Sequence, residues 1–264
     1  MASNNAKPSV SPQITSIFHQ ASRDGRQLVE RLLRQNGESL DWIDDLRQLQ
    51  GRYLEKSPQK AQRDCSAGCP ACCMTAQVDA TPIEAIAVSE YLRAYLEPDE
   101  LYAVKARLTR VTKLREAQLN AQAPQRPLAC GLLGMDGKCT VYPVRPVVCS
   151  GVFSLNQNEC RKAEREAKAG DFSQSIPLDN EAIQATGGIS GSLQRVLVEH
   201  GLDGNLYELS SAVLVAIQIP DCLERFLNRE DIFKNAICTD AHSPPRKRIV
   251  PAPKFLRRPA SRPA

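Results

Sequence analysis

Cys65-Ser66-Ala67-Gly68-Cys69-Pro70-Ala71-Cys72-Cys73 puts four thiols within nine residues, and Cys130, Cys139, Cys149 and Cys160 follow downstream. Eight of the ten cysteines therefore fall between residues 65 and 160. A thiolate is a soft, charge-donating ligand suited to zinc, iron or an iron-sulfur cluster, and packing alone does not account for such a density. In the first run the cysteines stand at i, i+4, i+7 and i+8, one stripe if the segment were a helix. Gly68 and Pro70 argue instead for a looped knuckle, in which amides not lost to proline can point at sulfur. The adjacent pair Cys72-Cys73 is informative, because neighbouring side chains diverge by roughly 100° on a helix and roughly 180° on a strand. Two diverging thiolates suggest two nearby centres or one bridging, cluster-type site.

Around this stretch the chain is expected to be mostly α, a helical protein with a cysteine-rich centre of loops and short β pieces. Residues 1–13 are polar and read as disordered; residues 14–242 read as one helical domain containing the cysteine region, 60–165; residues 243–264 read as a disordered basic tail. Ile14, Ile17 and Phe18, then Leu28, Leu32 and Leu33, recur at helical steps until Gly37. A second helix is expected over Ser39 to Lys56, with the only tryptophan, Trp42, in its apolar stripe. Thr81-Pro82-Ile83-Glu84 satisfies a capping box and opens a helix to about Glu97. Pro98 starts another, ending near Ala123-Pro124. From Cys130 the texture becomes β-like: Gly134-Met135-Asp136-Gly137 supplies a turn that sets Cys130 and Cys139 on its two sides, and Cys139 to Tyr142 and Val147 to Cys149 are β-branched runs. Cys160 opens a helix-prone stretch ending at Gly170. Leu178 to about Arg229 is helical again, with interruptions expected at Gly187 to Gly191 and Gly201 to Gly204.

Composition narrows the classes of function. The formal charge of +4 is misleading, because residues 243–264 hold five Arg, two Lys and no acid, which leaves the rest of the chain net negative. Nucleic acid is therefore not an expected partner except through that tail. No apolar run is long enough for a membrane span and no secretory segment is evident, so a cytoplasmic location is the expectation. In a reducing cytosol clustered cysteines do not persist as disulfides, which favours metal ligation. Arg63, Lys138, Arg145 and Arg161 lie one to four residues from candidate ligands and are candidate counter-charges. His19, His200 and His242 are scattered, and none is assigned as a ligand. Cys222 and Cys238 read as packing residues of C-terminal helices.

The order Cys130-x8-Cys139-Thr140-Val141-Tyr142-x2-Arg145-Pro146-x2-Cys149, downstream of C-x3-C-x2-C-C, resembles the YkgJ-type cysteine-cluster family of zinc- or iron-chelating domains. The resemblance covers about residues 60 to 160 and includes an acidic position at Glu84. It implies Cys65, Cys69, Cys72, Cys73, Cys130, Cys139, Cys149 and Cys160 as metal ligands, Arg145 as a residue supporting the bound group, and zinc or iron, including an iron-sulfur cluster, as cofactor. This chain departs from the family at Gly131, where proline is usual, and at Ser150, where arginine is usual. Similarity to the flagellin lysine N-methylase extends the implied functions to a metal-dependent modification enzyme with an unidentified protein partner. A thiol redox protein built on Cys69-Pro70-Ala71-Cys72 is the other alternative, and it requires a strand before the motif and a helix after it.

Overall fold

The computed structural model describes residues 12–35, 39–66, 68–121, 126–171 and 173–239. The expectations for the N-terminal segment up to residue 11, the break at Gly37, the helix end at 123–124 and the basic tail lie outside these residues. Among those described the protein is mostly α, with ten α-helices and one sheet of two short strands.

The first helix, α1 (Pro12–Gln35), lays Ala21, Leu28, Val29, Leu32 and Leu33 into the core. Its main partner is α8 (Asn180–Glu199). Phe18 lies near Gly187 and Gly188, Gly25 near Ser192, and Arg26 pairs with Glu199, so contacts advance together and the two helices run parallel. The Gly187-Gly188-Ile189-Ser190-Gly191 run was expected to interrupt a helix, but α8 passes through it unbroken. A Cβ on Gly188 would stand 2.5 Å from the Phe18 carbonyl oxygen and one on Gly25 would stand 2.2 Å from Ser192 Oγ. Small residues here serve close helix approach, and that gain outweighs their poor helix propensity. The second expected break is real: α8 ends at His200, Gly201 takes φ 72°, and Leu202 N–H returns to the Leu197 carbonyl.

Helix α2 (Ser39–Lys56) has the expected bounds and buries Trp42, Ile43, Leu46 and Leu49. It packs against α1, α8 and α4 (Pro82–Tyr95). Apolar on nearly every face, α4 buries Ile83, Ala85, Ile86, Ala87, Val88 and Leu92, so it sits at the centre of the helices. Its other neighbours are α9 (Leu209–Ala216) and α10 (Cys222–Leu227), and α5 (Pro98–Asn120) packs on α9. Strands β1 (Asp79–Ala80) and β2 (Tyr207–Glu208) pair antiparallel, Asp79 opposite Glu208, and tie the entrance of α4 to that of α9.

The cysteine region lies on this framework in short pieces: α3 (Ala71–Thr75), α6 (Val147–Ser150) and α7 (Gln157–Lys168). The Gly134–Gly137 turn forms as expected, with Gly137 N–H bonded to the Gly134 carbonyl, Gly137 at φ 75°, and Leu133 bridged to Cys139. The β-like runs beyond it do not become strands. Tyr142–Val144 is a 3-10 turn and Val147–Ser150 is helical. Pro143 and Pro146 lack the N–H a ladder needs, and the Val147 N–H is taken by Glu84, so β-branching has no partner strand to act on.

The glycines of α8 separate two effects in one helix. Gly188→Ala should destabilise the protein by about 1–3 kcal/mol through overpacking against α1. Gly191→Ala, which meets nothing closer than Arg195 Nη2 at 4.0 Å, should be neutral or stabilising by up to about 1 kcal/mol. Denaturant unfolding of both variants checks this, and equal effects would show that helix approach does not set the glycine requirement.

Candidate metal centre

Each thiol is placed by a local device. Asp64 N–H bonds the Ser154 carbonyl (2.9 Å), Gln157 N–H bonds Asp64 Oδ2 (2.8 Å), and Ser154 N–H donates to Cys65 Sγ (3.2 Å). These bonds hold Cys65 beside the start of α7, where Cys160 sits. The preceding residue pair is anchored too. Arg63 Nε donates to Asp179 Oδ2 (2.9 Å), Arg63 Nη2 to the Leu54 carbonyl (2.8 Å), and the guanidinium lies 4.2 Å over the Phe153 ring. Asp179 is fully buried and also accepts from Ser57 Oγ and Ala182 N–H. Burial pushes its carboxyl up, but those donors and Arg63 together hold it below the ordinary value. Arg63, expected as a counter-charge for sulfur, is thus committed to Asp179.

Gly68, at φ 84°, turns the chain into Cys69, and Pro70 caps α3, which carries Cys72 and Cys73 on one helical turn. The knuckle is therefore loop up to Pro70 and helix beyond it. Cys72 and Cys73 occupy adjacent positions of one helical turn, about 100° apart, and interaction with the Cys73 thiol, followed by burial, pushes Cys72 far above the usual thiol range. Residues 63–66 and 68–70 form no strand, so the strand that a dithiol oxidoreductase motif calls for before Cys69 is missing.

Cys130 N–H bonds the Cys73 carbonyl (2.7 Å), which brings the hairpin of Cys130 and Cys139 onto α3. Gly131 fits because a Cβ there would stand 3.0 Å from Leu108 Cδ2 and 3.1 Å from its Cα, and because its N–H faces Ser210 Oγ at 3.4 Å. A proline would lose that donor. Cys149 lies on α6, which is gripped from two sides. Gln50 on α2 donates to the Val147 carbonyl (2.8 Å) and to Thr186 Oγ1 (2.9 Å), and its Oε1 accepts from Ser150 Oγ (2.7 Å). Glu84, fully buried, accepts Val147 N–H at Oε1 (2.9 Å), and Thr81 N–H (2.9 Å) and Thr81 Oγ1 (2.8 Å) at Oε2. The capping-box carboxylate thus also positions the turn carrying Cys149. Ser150 is buried in the Gln50 network, which explains why a small hydroxyl residue stands there.

The thiols fall into two neighbouring groups by their mutual electrostatics. Cys65 interacts with Cys160, Cys69 and Cys72, while Cys149 interacts with Cys130 and Cys139, each of which interacts with Cys72. Cys72 is common to both. Burial pushes the Cys130 thiol up to about 12 and raises Cys65, Cys139 and Cys149 as well. Among the described residues no three Cys, His, Asp or Glu side chains stand close enough to hold one ion as placed. By donor chemistry the set suits a soft cation, and one observation points the same way. Arg145, its guanidinium 3.9 Å over the Tyr142 ring, lowers the thiol values of Cys139 and Cys149, yet its buried Nε has no hydrogen-bond partner among the described residues.

Two further charged groups close the region and carry no motif in the sequence. Glu208, 3% exposed, caps α9 through Ser211 N–H and lies in electrostatic range of Cys130; burial raises its carboxyl. Arg115 of α5, 4% exposed, offsets it. Cys222 is buried near Arg93 and Glu90, apart from the other thiols, and Cys238 bridges Tyr207. His19 lies in α1, His200 ends α8, and His242 is outside the described residues.

The comparisons bear on this region alone. Residues 64–168 match the CxxCxxCC family model, described as "Putative zinc- or iron-chelating domain". The matched segment begins one residue before Cys65 and ends with α7, so it contains both thiol groups. No curated protein and no solved structure matches the chain.

Glu84→Gln preserves size but offers one oxygen where two backbone N–H groups now donate. It should cost about 1–3 kcal/mol of unfolding free energy, measured by denaturant titration; parental stability would show that the bridge to Val147 is dispensable.

Proposed function

We propose that Cys65, Cys69, Cys72, Cys73, Cys130, Cys139, Cys149 and Cys160 chelate zinc or iron, as in the YkgJ-type cysteine-cluster family. What supports this is a fold that gathers Cys65, Cys69, Cys72, Cys130, Cys139, Cys149 and Cys160 into two adjoining groups sharing Cys72, with the Cys73 carbonyl bonded to Cys130 N–H and the Arg145 guanidinium acting on Cys139 and Cys149. The reading places one ion or cluster at each group, or a bridged centre across both. Closing either group on an ion calls for rotation of the cysteine side chains and release of thiol protons, which a divalent cation drives by its own charge. Zinc with four thiolates carries a charge of about −2, and Arg145 would offset it at Cys139 and Cys149.

The chemistry supplied is a soft Lewis-acid centre, or a redox centre if iron and sulfide assemble there. This chain's own part is to fix the loops that bear the ligands: Glu84 and Gln50 hold α6, the Cys73 carbonyl holds the hairpin, and Ser154 holds Cys65. Ligation then staples these loops to α2, α4 and α8 within one helical domain. Free thiols in this number fit a reducing compartment, the cytoplasm. No described helix is long and apolar enough to cross a membrane.

Elemental analysis of anaerobically purified full-length protein should find zinc or iron at one or more ions per chain. Cys139→Ser should lose part of that metal, while Cys222→Ser, altering a thiol outside both groups, should retain it. Metal-free protein that takes up neither ion, or full occupancy in Cys139→Ser, would overturn the assignment.

A further inference from the structure

Beside the first thiol group lies a cavity of about 440 Å³ whose wall includes Gly68, Cys69, Gln157, Arg161, Glu164 and Arg165. Two elements build it. The Gly68–Ala71 loop forms one side, and α7 forms the other, presenting positions 157, 161, 164 and 165 at helical steps along one face. Its wall carries two arginines against one acid. Glu164, the acid in the wall, is paired with Lys168 Nζ at 2.7 Å. Arg161 Nη2 donates to the neutral Gln157 Oε1 at 3.3 Å. Among the described residues no acid pairs with Arg161 or with Arg165, and both are exposed. Cys69 is thus a thiol at the wall of an open, net cationic recess, whereas Cys130 and Cys149 pack against the hydrophobic core.

We propose that this cavity binds a small polyanion, a chelate bearing carboxylate or phosphate oxygens, between Arg161, Arg165 and Cys69, and is the mouth through which the thiol centre exchanges its metal. The exchange role rests on the chelation reading above; the anion site does not. Two guanidiniums offer planar, paired donors to oxyanions. They also raise the local concentration of anions at the recess. A chelate held there has its metal within reach of a thiol already at the wall.

Alkylation of Cys69 in the full-length, metal-stripped protein, followed by mass spectrometry, tests both parts. Anionic iodoacetate should be favoured over neutral iodoacetamide at Cys69, and that preference should fall about tenfold at low ionic strength in Arg161→Gln/Arg165→Gln. Citrate should slow iodoacetate in the parent and not in the variant. An unchanged preference, or citrate without effect in the parent, would overturn the anion site. Loading with zinc should protect Cys69 from iodoacetamide in both proteins. Absence of that protection, with the charge preference intact, would sink the exchange role and the Cys69 ligand assignment while leaving the anion site standing.

Discussion

The Glu84 carboxylate, closed off from water, binds the first turn of its own helix and a turn sixty-three residues later. Removing a carboxylate from water is expensive, and burial accordingly raises its pKa; three donors, Thr81 N–H, Thr81 Oγ1 and Val147 N–H, offset that cost. Because the donors come from two segments, the carboxylate fixes α6 relative to the central helix α4. Gln50 repeats the arrangement from α2, accepting from Ser150 and donating to the Val147 carbonyl. Cys149 therefore rides on a four-residue helix too short to persist alone, held by polar contacts buried in the core. The hairpin of Cys130 and Cys139 is in turn tied to the turn of Cys72 and Cys73 by the bond from Cys130 N–H to the Cys73 carbonyl.

Electrostatics gives that framework its chemical character. Burial, and after it repulsion from neighbouring thiols, raises Cys65, Cys130, Cys139 and Cys149, and Glu208 at Cys130 and Glu84 at Cys149 add to the effect. Against this, Arg145 is the cation that lowers Cys139 and Cys149, while Arg115 acts at longer range on Glu208 and Arg63 is paired with Asp179. Such a region holds neutral thiols readily and thiolates only when positive charge arrives with them. On the proposed reading the arriving charge is the metal, and ligation couples proton release to closure of the loops.

Much of the scaffold was legible in the residues. The capping box at Thr81 and Glu84, the bounds of α2, the proline start of α5 and the Gly134–Gly137 turn follow from local chemistry that tertiary contacts did not override. The β-branched Val147-Val148-Cys149 run misled because its alternative, a helical turn, is stabilised by Glu84 and Gln50 from elsewhere in the chain. The glycines of α8 misled for a similar reason, since the need for them lies in α1. At the centre itself, cysteine spacing named the donors, but nothing local marked Gln50, Glu208 or Arg115, whose roles depend on burial. Nor did spacing show that Cys72 lies in electrostatic range of both thiol groups.

The central claim is that sulfur from distant segments surrounds a common ion. X-ray absorption at the metal edge of the full-length protein, loaded anaerobically with zinc or iron, tests it most directly. The account predicts a first shell dominated by sulfur, at about 2.3 Å for zinc. A shell of nitrogen and oxygen at about 2.0–2.1 Å would contradict it.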